Sequence, residues 1–97
     1  MHFLKNHLTA SHYFWLEEGK KNIFVGQPSR RVFDRYNGDQ VLFMINFYGS
    51  LLDRSSIMEG KEIENHLINH LPIETQSELS VFRWLRSTMR HQKMIHP

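Results

Sequence analysis

Between Gln40 and Gly49 the chain carries eight residues, VLFMINFY, of which only Asn46 is strongly polar. No other segment restricts the fold as much, because wherever this one lies it needs cover on more than one side. As a strand it places Val41, Phe43, Ile45 and Phe47 on one face and Leu42, Met44 and Tyr48 on the other, since strand side chains alternate. As a helix over Gln40–Leu52 capped by Asp39, its apolar residues almost surround the axis, as in a central buried helix. Periodicity alone does not separate a short buried strand from a buried helix. Two local signals favour the strand. Asn37-Gly38 is the pair a two-residue type I′ hairpin turn demands, and the run is rich in Phe, Ile, Tyr and Val. The turn then sets Arg31–Tyr36 against Asp39–Tyr48, with Asp34 opposite Val41, Val32 opposite Phe43 and Phe33 opposite Leu42.

A second hairpin is expected upstream. Tyr13–Leu16 and Ile23–Val25 are aromatic and β-branched, with the polar, glycine-bearing segment Glu17–Asn22 between them and Gly26-Gln27-Pro28 after them. The segment before His12 reads as a short helix, and Ser50–Ser56 as a turn-like connection. The second half reads as helix. Over 59–71, Ile63, Leu67 and Leu71 recur at steps of four and Pro72 ends the element. Thr75 and Glu78 have the spacing of a capping box for a helix over about 76–91, whose inner face is Val81, Trp84, Leu85, Thr88 and Met89 with Phe82 at its edge. The expected fold is therefore α+β: an antiparallel β-meander of about four strands over residues 12–48, followed by two C-terminal α-helices. The 97 residues are the size of a single domain, 1–97. A strand apolar on both faces exceeds what so short a chain covers easily, and a homodimer is the expected remedy.

Charge alternates in blocks. Residues 20–36 hold five cations and one acid, residues 53–78 six acids and two cations, and residues 79–97 four cations and no acid. On a helix Arg83, Arg86, Arg90 and Lys93 fall within an arc of about 80° opposite the apolar face. Planar, permanently charged guanidinium groups suit phosphate or carboxylate oxygens, so this stripe, extended by Arg30, Arg31 and Arg35, is the leading candidate surface for an acidic protein or a nucleic-acid backbone. The competing expectation is that it pairs with Glu59, Glu62 and Glu64 or faces water.

Asn-His-Leu occurs at 6–8, 65–67 and 69–71. Helical spacing stacks Glu62, His66 and His70, a weak candidate metal site: paired imidazoles one turn apart can chelate zinc, but the metalloprotease pattern places its Glu between the two histidines. His2, His7, His12, His91 and His96 follow neither helical nor strand spacing and read as solvated. Cysteine is absent, which excludes disulfides, thiol nucleophiles and Cys-ligated metals. No phosphate-binding glycine loop, dinucleotide fingerprint or nucleophile elbow is present, and the adjacent Glu17 and Glu18 fall in a turn, a poor place to desolvate an acid. Residues 1–10 lack the apolar core of a secretory signal, and no run approaches the roughly 20 residues of a membrane span. Aromatics are many for a thin core, and such residues gather at interfaces. The expected function is a small cytoplasmic, non-enzymatic regulator or adaptor acting through protein contacts as a homodimer, with no cofactor. A nucleic-acid-binding regulator using the basic helix is the second reading, and a metal-dependent enzyme using Glu62, His66 and His70 the third.

Overall fold

A computed structural model of the chain describes residues 2–17, 23–52 and 56–93, with side chains through residue 89. The element order is a short 3₁₀ turn at Lys5–His7, then α1 (Gly38–Ser50), α2 (Ile57–Asn65) running into a π turn at His66–His70, and α3 (Glu78–Lys93). No sheet forms among the described residues; two isolated bridges, Phe14 to Asn37 and Val32 to Ser77, are the only strand-like pairings among them. This overturns the α+β expectation and its four-strand meander. Residues 13–16 and 31–36 run as irregular chain over the helices, with one bridge each. Of the expected turn at Glu17–Asn22, residues 18–22 lie outside the described residues.

The decisive difference is at Asn37-Gly38. Asn37 is not the corner of a hairpin but the N-cap of α1: its side chain accepts from the amides of Asp39 and Gln40 at 3.1 and 3.3 Å. An N-cap asparagine satisfies amide groups that the first helical turn leaves without partners. The residues after it then show helical period. Val41, Met44, Ile45 and Tyr48 are buried at i, i+3, i+4 and i+7. Gly38 is required for close approach, since a Cβ there would stand 2.5 Å from the Trp15 ring. The turn signal and the cap signal use the same residue, and the cap wins because the helix it starts has somewhere to bury a whole stripe.

The core joins Val41, Met44 and Ile45 of α1 to Ile63 and Leu67 of α2 and its π turn, and to Val81, Leu85 and Met89 of α3. The two-faced strand on which the homodimer expectation rested is replaced by a helix whose stripe Val41, Met44, Ile45 and Tyr48 is buried within the chain, while Phe43 and Phe47 beside it stay partly exposed. No helix among the described residues is long and apolar enough to cross a membrane.

Two carboxylates sit at 0 % exposure and fasten the irregular segments. Glu64 of α2 accepts from the Thr9 amide and hydroxyl, both at 2.9 Å, from the Ala10 amide at 3.2 Å and from the Tyr13 hydroxyl at 2.6 Å. Glu78 accepts from the Ser29 amide at 3.0 Å and from Gln40 Nε2 at 2.9 Å, with Arg31 Nη1 at 3.5 Å. The expected capping box therefore does not form between Thr75 and Glu78. Ser77 and Ser80 exchange amide-to-hydroxyl bonds of 3.1 and 3.0 Å instead. The amides of Glu78 and Leu79 go to the carbonyls of Arg31 and Ser29, each at 2.8 Å. Glu78 is thereby freed to point inward.

Candidate functional site

An open groove of about 560 Å³ runs along the outer side of α1. Three pieces of chain build it. The N-terminal strap, residues 2–17, contributes His2 to Lys5; the loop contributes Phe24 to Gly26; α1 contributes Asp39, Leu42, Phe43, Asn46 and Phe47. Phe43 and Phe47 stand one turn apart, beside the buried stripe, and remain partly exposed. Phe24 lies against Phe43 at 6.2 Å between ring centroids, Phe43 against Phe47 at 6.4 Å, and Phe47 against Phe82 of α3 at 5.5 Å. These rings form a continuous apolar wall, and Leu4 and Val25 add exposed apolar surface at 47 % and 66 %.

The polar groups of the groove are few and placed. Asn46 holds the strap by both ends of one peptide-like pairing: its Oδ1 accepts from the Phe3 amide at 2.6 Å and its Nδ2 donates to the Phe3 carbonyl at 2.9 Å. Asp39 accepts from the Leu16 amide at 2.7 Å. Lys5 lies over the Trp15 ring, Nζ to centroid 4.2 Å, and the Arg31 guanidinium lies 5.0 Å from the centroid of the Phe24 ring. Apolar walls with a small number of directed polar groups are the usual make-up of a recognition site.

Of the basic residues singled out in the sequence, Arg31 and Arg35 are engaged within the fold. Arg31 faces Glu78 and Phe24. Arg35 donates to the carbonyls of Ile68 and Leu71 at 3.1 and 3.3 Å, closing the π turn. Arg30, Arg83 and Arg86 are exposed. The side chains of Arg90 and Lys93 lie outside the described residues, as does His91 beyond its backbone and His96 entirely. Arg86 acts with Glu59 and Glu62 on the Tyr48 phenol, so the basic and acidic helices meet there. Burial pushes that phenol above its ordinary range; Arg86 works to lower it and the two glutamates to raise it.

His66 and His70 do stand close, at 5.6 Å between ring centroids, but His66 is buried and its Nδ1 lies 2.9 Å from the Glu62 carbonyl. Glu62 thus meets His66 through its backbone. Among the described residues no group of three His, Cys, Asp or Glu side chains is placed to hold a metal.

Sequence reasoning did not find the groove. The signal was there: Phe43, Asn46 and Phe47 share a helical face offset from Val41, Met44, Ile45 and Tyr48, but only once the segment is read as helix. No family model, curated protein or solved structure matches this chain.

Proposed function

We propose that the chain is a small non-enzymatic regulator or adaptor that holds an apolar segment of a partner protein in the α1 groove. The observation that carries this reading is the wall of partly exposed rings, Phe24, Phe43 and Phe47, opposite a strap edge bearing Leu4. Peptides bind such grooves by seating spaced apolar anchors against rings, with polar contacts at the rim. Charge selects the kind of segment. The lining holds Lys5 and His2, and its acid Asp39 is turned to the Leu16 amide. A segment with aromatic or aliphatic anchors flanked by Asp or Glu complements that rim. A cysteine-free chain fits a reducing compartment such as the cytoplasm.

The test uses a displayed library of random peptides selected against the wild-type chain, with Phe43→Ser as the counter-target. The reading expects enriched peptides to carry apolar anchors with acidic flanks and to lose binding to Phe43→Ser. Absence of enrichment overturns it, and so do enriched peptides that bind both proteins equally. The nucleic-acid reading is favoured only by the exposure of Arg83 and Arg86 on α3; salt-dependent mobility shifts abolished by Arg83→Ala with Arg86→Ala would bring it forward.

A further inference from the structure

The strap supplies one edge of the groove, yet it belongs to no helix of the core. Apart from the 3₁₀ turn at Lys5–His7, it is fastened by side chains that the helices extend to it. The amides of Thr9 and Ala10 go to Glu64, that of Leu16 to Asp39, and the amide and carbonyl of Phe3 to Asn46. Among the described residues its main-chain pairing with the rest of the chain is at Phe14, whose amide donates to the Tyr36 carbonyl at 2.8 Å while its carbonyl accepts from the Gly38 amide at 2.9 Å. Two rings are pushed into glycine notches, Phe3 at Gly60 and Trp15 at Gly38. A segment with so few ladder bonds can open below the free energy of global unfolding.

We infer that the strap docks and undocks as a unit, that the groove exists only while it is docked, and that the Glu64 clasp, remote from the groove, thereby sets the groove's affinity. The inference rests on the groove reading given above. Its logic is linkage. His2 to Lys5 line the groove, and Asn46 both lines it and holds Phe3. A peptide that needs those groups binds only the docked state, so its apparent Kd is the intrinsic value divided by the docked fraction. By reciprocity, bound peptide must hold the strap down. Neither Tyr13 nor Glu64 lines the groove, so weakening their bond changes affinity only through the strap.

Hydrogen exchange of the full chain, read amide by amide, tests this together with peptide titration. In the wild type, the strap amides of Phe3, Thr9, Ala10 and Leu16 should exchange faster than core amides of α1 and α3. Tyr13→Phe removes one bond to a buried carboxylate. It should speed strap exchange roughly ten- to a hundredfold and leave the core amides of α1 and α3 unchanged. Glu64→Gln should go further, and the rise in peptide Kd should match the docked fraction that exchange reports. A peptide from the selection at about 100 times its Kd should slow strap exchange about a hundredfold. If strap and core amides exchange together, in the wild type and in Tyr13→Phe, the strap is not a separate unit and the inference falls while the groove reading stands. If the strap opens in Glu64→Gln but Kd does not follow, the coupling falls and the groove again stands. If no peptide is selected, the groove reading and this inference fall together.

Discussion

Gly60 is the point at which the packing of the strap can be tested by the sign of an effect. The Phe3 ring is 1 % exposed and lies against the α2 backbone at Gly60, where an added Cβ would overlap three of its ring carbons. In an ordinary helix interior, Gly→Ala stabilises by about 0.8–1 kcal/mol. Here Ala must displace Phe3. Forcing a methyl into a packed site costs roughly 1–3 kcal/mol, and expelling the ring altogether forfeits about 1.5–3 kcal/mol of burial. Gly60→Ala is therefore expected to destabilise the wild type by up to about 2 kcal/mol, even after its helix-forming gain. In a Phe3→Ala background the obstacle is gone, and the same substitution should stabilise by roughly 0.5–1 kcal/mol. The cycle then gives a coupling of about 1–3 kcal/mol, within the range measured for contacting residues. Urea unfolding followed by far-ultraviolet circular dichroism measures all four proteins. If Gly60→Ala stabilises both backgrounds alike, Phe3 does not sit in that notch, and the strap is not placed as described.

Four further outcomes are expected. Asn37→Ala should cost about 1 kcal/mol and raise exchange at the Asp39 and Gln40 amides it caps; unaltered exchange there would return Asn37 to a turn. Glu78→Ala leaves Arg31 facing an emptied, buried position and strips acceptors from Ser29 and Gln40, so a loss of about 3–5 kcal/mol is expected in the same unfolding assay. Stability should fall as pH rises above about 10. Burial holds Tyr13 and Tyr48 above their ordinary range, Tyr13 further by its bond to Glu64, so the unfolded chain releases protons that the folded chain retains. One such group steepens the loss by at most about 1.4 kcal/mol per pH unit, and Tyr13→Phe should shallow the curve. Arg83→Ala with Arg86→Ala should change stability by no more than about 0.5 kcal/mol, as exposed substitutions do; a larger loss would show the stripe to be structural.

What was legible in the sequence depended on whether a signal had one physical use or two. Pro72 closes a helix wherever it stands, and Val81, Trp84, Leu85, Thr88 and Met89 recur at steps of three and four that a strand, with its period of two, does not place on one face; both guided the reading to real elements. Asn37-Gly38 had two uses. Asparagine caps a helix with the same side-chain oxygen that helps it tolerate a hairpin corner, and glycine serves both a positive φ and the close approach of a ring. Only the tertiary partner, Trp15 lying against Gly38, separates them. The Thr75–Glu78 spacing failed for a related reason. A capping box presumes that the first amides of the helix have no better partner, and the carbonyls of Ser29 and Arg31 are that partner. The groove was hidden behind the same ambiguity, because Phe43 and Phe47 share a face in either reading, but only a helix brings Asn46 beside them to grip Phe3.

The charge pattern carries a further lesson about the candidate surfaces. Counted along the chain, residues 53–78 hold six acids and promise a strongly acidic face to receive the basic helix. Two of them, Glu64 and Glu78, are wholly interior, and the groups they fasten are backbone amides and hydroxyls as much as cations. On the basic side, Arg31 and Arg35 are engaged with Glu78 and with the carbonyls of the π turn. Both sequence blocks are thus weaker as surfaces than their composition implies, because the described residues form no sheet and their irregular backbone is satisfied by side chains, of which carboxylates and guanidinium groups form the strongest such bonds. Among the described side chains, two of the expected basic groups are thus tied into the fold, whereas the rings of Phe24, Phe43 and Phe47 lie side by side along α1. That contrast, rather than the net charge, is why the groove and not the basic stripe is the better candidate for recognition.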